Sequence, residues 1–334
     1  MAGTAIRLEN LQKWFGQVKA LSGIELEVPT GSVMGILGSE RSGKTTIIHI
    51  LATLLMPDDG RTIISGYDTR TDAHAVRRQI GLVGSGNAIE QHLSSRTVLN
   101  LLGRLHGLDR YSARRQADEL LARFDLVDVA DSPLATRSKL AQRRLDLAAC
   151  VTGEPSVLLI DEPTSGIDCK DRPELWDLIQ DLSGRGMTVL MASSNMNEVI
   201  NLADSVAILH EGRIIIEESP QRLKMRVGQI LEITASNHHQ TATIVQHLGD
   251  MIDDRSRISS VSNVISITHS TPDLIIGTLD RLDTLGLCLS MVTVREPNPE
   301  ETIRLLTAPL ALVDELDIRD HCGIPHPGGS EETS

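Results

Sequence analysis

A glycine-rich segment between an apolar run and a helical pattern constrains the fold of this chain more than any other feature. Residues 38–45 read Gly-Ser-Glu-Arg-Ser-Gly-Lys-Thr and match the pattern G-x-x-x-x-G-K-[ST]. The apolar run 33–37 predicts a buried β-strand, and the spacing of isoleucine and leucine in 47–55 predicts a helix that Pro57 ends. A strand, such a loop and a helix in this order predict an α/β fold that binds a polyphosphate at the helix N-terminus.

The residues of this loop have separate expected roles. Glycine lets backbone N–H groups approach the phosphates closely, Lys44 adds a positive charge near the β and γ phosphates, and Thr45 offers its hydroxyl to Mg²⁺. The side chain of Arg41 either contacts a phosphate or is solvated, and the pattern leaves both open. We predict that the nucleotide contacts are Gly38, Ser39, Glu40, Arg41, Ser42, Gly43, Lys44, Thr45 and Thr46.

A second segment, far along the chain, supplies carboxylates. Residues 157–162 read Val-Leu-Leu-Ile-Asp-Glu, an apolar strand of the kind found in the centre of a parallel sheet. Asp161 can hold Mg²⁺ through water, and Glu162 can orient or deprotonate an attacking water. Two acids after a strand are also a common strand-to-turn boundary, so only the combination with the loop makes the functional interpretation strong.

The order of these segments resembles a known family. Residues 161–168, Asp-Glu-Pro-Thr-Ser-Gly-Ile-Asp, resemble the Walker B and D-loop segment of ABC transporter ATPases. The phrases at 65–68, 76–82, 143–149 and 294–297 are similar to the ATP-binding subunits of daunorubicin/doxorubicin-resistance exporters, and the resemblance runs from about residue 5 to 307. It implies an ATPase that binds MgATP between two subunits and couples hydrolysis to export of a drug-like or antibiotic substrate through separate membrane subunits.

The same resemblance implies roles for three further residues. Phe15 falls at the aromatic that stacks on adenine; the alternatives are a core aromatic, or Trp14 as the stacking residue. Ser138 falls at the signature serine, which holds the γ-phosphate of the opposite subunit's ATP. Asp168 is the D-loop aspartate. We therefore expect Glu162, Asp168 and Ser138 to be the catalytic residues.

The chain also departs from the family pattern at three places. Ser85 occupies the position of the Q-loop glutamine, and Ser194 that of the switch histidine, whose reach and tunable proton a serine lacks. Lys139 and Leu140 replace the two signature glycines, and we expect a helix at 143–149 after them. These departures predict low turnover. The alternative function is a nucleotide-binding, hydrolysis-poor subunit that regulates a partner or forms a heterodimer with it.

Composition limits the partners and the location. The net charge of -13 over 334 residues argues against nucleic acid as a partner, and we interpret Arg143 and Arg144 as a solvated helix face. The sequence has no apolar stretch of about 18 residues, and we expect no signal peptide. We expect a homo- or heterodimer of ATP-binding subunits in the cytoplasm, held on the inner face of the membrane by its permease subunits.

The patterns along the chain predict its domain organisation. We expect an ABC-type nucleotide-binding domain at 1–226, a P-loop NTPase core with an antiparallel β subdomain and a helical subdomain at about 87–150. A hairpin-type turn is expected at Pro29-Thr30-Gly31. An accessory α+β domain of ferredoxin-like order is expected at 227–308. The polar residues 309–334 predict a disordered tail.

Overall fold

The computed structural model describes residues 3–84, 92–236, 238–252, 258–270, 272–285, 289–297, 301–302 and 305–306. The chain divides into two compact units between Arg226 and Val227. No helix in the described ranges is both long enough and apolar enough to cross a lipid bilayer.

The first unit contains two sheets. An antiparallel sheet has the order β2-β1-β4-β5, and a six-stranded sheet has the order β10-β9-β3-β8-β7-β6. In the larger sheet β10 is antiparallel to β9, whereas the other pairs are parallel. The strands are β1 (Thr4–Phe15), β2 (Val18–Pro29), β3 (Val33–Leu37), β4 (Asp59–Ile64), β5 (Tyr67–Asp68), β6 (Ile80–Val83), β7 (Val157–Asp161), β8 (Thr188–Ser193), β9 (Ser205–His210) and β10 (Arg213–Glu218).

Helices cover the parallel sheet and also form the segment between β6 and β7. In that segment the helix starts are capped by the side chains of Ser94, Asp109 and Ser138, each of which accepts a bond from a backbone N–H. The helices are α1 (Lys44–Leu51), α2 (Ala73–Gln79), α3 (Ser95–Leu105), α4 (Arg110–Arg123), α5 (Lys139–Val151), α6 (Arg172–Gly184), α7 (Met196–Leu202) and α8 (Pro220–Val227).

The central strands place the functional segments together. Every residue of β3, β7 and β8 is buried, which explains why these strands read as continuous apolar runs. Because parallel strands end at the same edge of a sheet, the loop after β3, the acids at the end of β7 and the serines at the end of β8 lie side by side.

Two local expectations for this unit are wrong. The turn at 29–31 is not a hairpin, because β2 pairs with β1 in the antiparallel sheet while β3 enters the parallel sheet beside β8 and β9. The hairpin lies earlier, where Phe15 pairs with Val18 across a tight turn. Helix α5 begins at Lys139 rather than at Arg143, because the Ser138 side chain caps it.

The second unit is an α+β region built on an antiparallel sheet of order β12-β13-β11-β14. Alternate residues Leu231 and Ile233 of the central strand pack on Ile244 and Leu248 of the first helix. The described residues 301–302 and 305–306 are helical, and the predicted tail at 309–334 lies outside the described residues. The elements are β11 (Gln229–Ala235), α9 (His238–Met251), β12 (Ile258–Val261), β13 (Val264–Ser270), α10 (Pro272–Thr284) and β14 (Leu289–Arg295).

Candidate nucleotide-binding site

Glycine is required at both ends of the loop between β3 and α1. A Cβ on Gly38 would lie 2.5 Å from Ser42 Oγ and 2.6 Å from the Leu209 carbonyl oxygen. Gly43 has a φ of 110°, and a Cβ there would lie 2.8 Å from the Ala20 carbonyl oxygen. The backbone of the loop therefore follows the path that the sequence pattern predicts, with its amides at the start of α1.

Lys44 is buried at the start of α1. Its ammonium donates hydrogen bonds to the carbonyl oxygens of Gly38 (2.8 Å) and Ser39 (2.9 Å), and it lies 3.8 Å from Glu162 Oε1. Burial lowers the pKa of Lys44, and the nearby carboxylates of Glu162, Asp161 and Glu40 oppose that effect. The side chain thus connects the phosphate loop to the acids after β7.

A chain of polar contacts joins the ends of the three strands. Thr45 Oγ1 donates to Asp161 Oδ2 at 2.9 Å, and Ser194 Oγ donates to Glu162 Oε2 at 3.1 Å. The backbone N–H of Glu162 donates to the Ala192 carbonyl oxygen at 2.8 Å. The structure therefore brings together the loop residues and both predicted acids, and adds Ser194.

The donor atoms at this edge fit a hard cation. Asp161 is buried, and its Oδ1 has no hydrogen-bond partner among the residues that the structure describes. An unpaired buried carboxylate oxygen is costly unless a cation or donor meets it. Thr45 and Asp161 together offer the oxygen ligands that Mg²⁺ takes in phosphate sites.

A pocket of about 240 Å³ lies beside the loop. The ring of Phe15 forms one wall and is 51% exposed, so Phe15 is not a core aromatic. The stacking role of Phe15 stays a prediction, and its position next to the phosphate loop suits it. The other lining residues are Ala20, Arg41, Ser42, Gly43, Lys44, Thr45 and Thr46.

Arg41 differs from the other loop side chains. It is exposed, and its φ of 62° lies in the left-handed region that favours glycine. Holding a non-glycine residue there costs about 1–2 kcal/mol. The backbone of Arg41 is therefore strained, and its contact with phosphate stays a prediction.

Two predicted catalytic residues lie outside this cluster. Ser138 accepts a hydrogen bond from Ala141 N at 3.2 Å as the cap of α5, and Asp168 is exposed in a turn whose carbonyl accepts from Asp171 N at 2.9 Å. Within the described part of the chain, neither hydrogen-bonds to Lys44 or to the β7 acids. Ser85 lies outside the described residues.

The interpretation of Arg143 and Arg144 as a solvated face is wrong. Their side chains are only 9% and 13% exposed. Arg143 donates to the Gly84 carbonyl oxygen at 2.7 Å, and Arg144 pairs with Asp125 and Glu174 at 2.6 and 2.5 Å. Arg143 is buried because it precedes two buried apolar residues, Leu147 and Val151, by four and eight positions and shares their face of α5.

The buried carboxyl group of Asp146 on α5 makes the stability of the protein depend on pH. Burial raises the pKa of its carboxyl to about 6, against the opposing charges of Arg143 and Lys139. Because the folded state keeps this proton between about pH 4 and pH 6 and the unfolded state loses it, stability falls as pH rises through that window. The difference of about two pH units corresponds to at most about 3 kcal/mol at pH 7.

We therefore expect Asp146→Asn to raise the melting temperature at pH 7.5 and to change it little at pH 4. The asparagine is neutral at both pH values and so removes the cost of burying a charge. Asp177→Asn, on the exposed side of α6, is the control and should change neither value. A gain of equal size at both pH values would show that ionisation of Asp146 is not the cause.

Comparison with known proteins identifies the family of this chain. Residues 21–165 match the ABC transporter family. The daunorubicin resistance ATP-binding protein DrrA3 of Streptomyces coeruleorubidus is 38% identical over 311 residues, 92% of this chain and 97% of that protein. The chain belongs to the ATP-binding proteins of ABC transporters. The doxorubicin resistance ATP-binding protein DrrA of Mycobacterium tuberculosis is 32% identical over 309 residues, 91% of this chain and 93% of that protein.

Solved structures share the fold of this ABC-type ATPase. The cbiO1 protein of Clostridium perfringens, part of the ABC transporter complex cbiONQ, has a TM-score of 0.62 at 22% identity, covering 75% of this chain and 96% of its own. A dimeric ATP-binding cassette in a post-hydrolysis state with ADP and Pi has a TM-score of 0.59 at 24% identity, covering 64% and 98%. The first unit is therefore an ATP-binding cassette.

Proposed function

We propose that this ABC ATPase supplies the energy for export of a drug-like or antibiotic molecule through separate permease subunits. The observation that carries the proposal is the joined cluster of Lys44, Thr45, Asp161 and Glu162. Support for the transported class comes from relatives named for daunorubicin and doxorubicin resistance, which this chain matches over nearly its whole length.

In the proposed reaction the residues of the cluster have separate roles. The loop amides and Lys44 bind the β and γ phosphates, and Phe15 stacks on the adenine. Thr45 and Asp161 would hold Mg²⁺, which neutralises phosphate charge when bound.

Glu162 is the proposed general base. Its carboxylate accepts from Ser194, so the serine at the switch position still orients the carboxylate that must receive a proton from water. The sequence departures at this position and at Lys139 and Leu140 favour low turnover, but the comparisons give that expectation no support. We therefore prefer a competent ATPase over the hydrolysis-poor regulatory or heterodimer partner.

Dimerisation explains the two outlying residues. Ser138 and Asp168 lie outside the cluster of their own chain, as expected for groups that act on ATP bound by the opposite subunit. The dimeric cassette among the similar structures supports this arrangement. We place the dimer in the cytoplasm, on the inner face of the membrane, and leave open whether the two subunits are identical.

The second unit has no proposed catalytic role. Its β-α-β-β-α-β order and its strand order support a ferredoxin-like fold for an accessory domain that begins at residue 227 and ends near 308.

The test is transport of daunorubicin into inverted membrane vesicles that contain this subunit and a candidate permease subunit. We expect uptake that requires ATP and is lost in vesicles carrying Glu162→Gln. Vesicles with only the permease are the control for leakage. ATP hydrolysis without drug uptake, and without stimulation by any antibiotic of a tested panel, would contradict the export of such molecules while leaving the ATPase assignment intact.

A further inference from the structure

Arg143 joins three elements at the edge of the parallel sheet that carries the site. Its Nη1 donates to the Gly84 carbonyl oxygen at 2.7 Å, and its Nη2 reaches the Glu162 carbonyl oxygen at 3.5 Å. Gly84 follows β6 and Glu162 follows β7, and these strands are parallel neighbours. One buried guanidinium on α5 therefore holds the ends of two strands.

The backbone of Glu162 needs such support. Its φ of 52° lies in the left-handed region, which costs free energy for any residue with a Cβ. The N–H of Glu162 is held by the Ala192 carbonyl at 2.8 Å, and its own carbonyl faces Arg143. These two contacts fix the peptide groups on both sides of the Cα, and so the direction in which the Glu162 carboxylate points.

Helix α5 is itself fixed against β6. Cys150 Sγ donates to the Leu82 carbonyl oxygen at 2.8 Å, and a Cβ on Gly81 would lie 2.9 Å from the Cys150 carbonyl oxygen. The helix therefore lies too close to the strand to shift without a clash. Its cap, Ser138, lies five residues before Arg143, so the signature segment and the Glu162 backbone are connected through one short helical turn.

We infer that Arg143 is a positioning residue for Glu162, and that it connects the start of α5 to the orientation of the carboxylate that activates water. This inference rests on the proposed hydrolytic function and deepens it. In the proposed role Arg143 contacts the backbone of Glu162 and not the nucleotide or the attacking water. Arg144 offers a matched comparison. It lies next along the same helix and is similarly buried, but its ion pairs go to Asp125 and Glu174.

The experiment compares Arg143→Met with Arg144→Met in the purified full-length protein, using MgATP. Since small displacements of a catalytic group can cost up to about a hundredfold in rate, we expect kcat of Arg143→Met to fall at least about tenfold. Its KM and its affinity for ATP should stay within about twofold, because no phosphate contact is lost. Arg143→Lys keeps one charged donor and should recover part of the rate.

Stability is measured in parallel by thermal melting. Arg143→Met should lose stability because it leaves the Gly84 and Glu162 carbonyl oxygens without this donor. Arg144→Met should lose less, because its partners Asp125 and Glu174 are exposed, and its kcat should stay within about twofold of wild type. Equal losses of kcat in the two variants would show that Arg143 has a merely structural role. Unchanged kcat in Arg143→Met would overturn this inference but leave the proposed function intact. A wild-type protein that hydrolyses no ATP would overturn the proposed function and this inference together.

Discussion

Replacing Glu162 by glutamine is expected to lower ATP hydrolysis by about a hundredfold or more while ATP still binds. The change keeps the size of the side chain and an oxygen that can accept the hydrogen bond from Ser194. It removes the basic carboxylate that receives the proton of the attacking water, and it removes the negative charge 3.8 Å from Lys44. Phosphate release and nucleotide binding are measured on the same preparation.

Glu154 provides the matched control for this variant. It precedes β7, at the opposite end of the strand from Glu162, and its φ of 51° is nearly that of Glu162. It is exposed, so Glu154→Gln makes the same substitution in the same backbone conformation away from the site, and hydrolysis should stay within about twofold. Hydrolysis that survives Glu162→Gln would mean that another group activates the water.

The second large effect is expected for Lys44→Ala. A charge-assisted contact to phosphate is worth about 1.5–3 kcal/mol, so the affinity for ATP should fall at least about tenfold. The ammonium also satisfies the carbonyl oxygens of Gly38 and Ser39, so part of the loss reflects a less ordered loop. Calorimetric titration with MgATP measures the change.

Lys170→Ala is the control for the lost charge. Lys170 is exposed and lies outside the loop, so its removal should leave the affinity for ATP within about twofold. If Lys44→Ala binds ATP as tightly as this control does, the phosphate loop is not the principal binding element.

Local patterns predicted the loop and the two acids because each of these motifs consists of consecutive residues. The strand before Gly38 and the helix after it follow from apolar spacing, and the acids follow directly from a buried strand. These features need no knowledge of what packs against them. The roles assigned to Phe15, Ser138 and Asp168 came from resemblance and stay predictions.

Contacts between distant elements could not be predicted in the same way. The hydrogen bond of Ser194 to Glu162 depends on the parallel register that pairs Asp161 with Ala192. The burial of Arg143 depends on which face of α5 packs against the rest of the unit. Arginine side chains are mostly exposed in proteins, and this general preference led to the wrong prediction that Arg143 and Arg144 are solvated.

The order of strands sets a limit on how this site can be varied. β8 lies between β3 and β7, so the backbones at the ends of β3 and β7 are separated by two strand spacings, or about 10 Å. Backbone hydrogen bonds fix that span, and no side-chain substitution can widen or narrow it. The side chain at 194, directly after the intervening strand, is therefore an adjustable part of the site. A longer or shorter residue there changes what contacts the Glu162 carboxylate, and sequence variation that tunes the reaction should concentrate at this position.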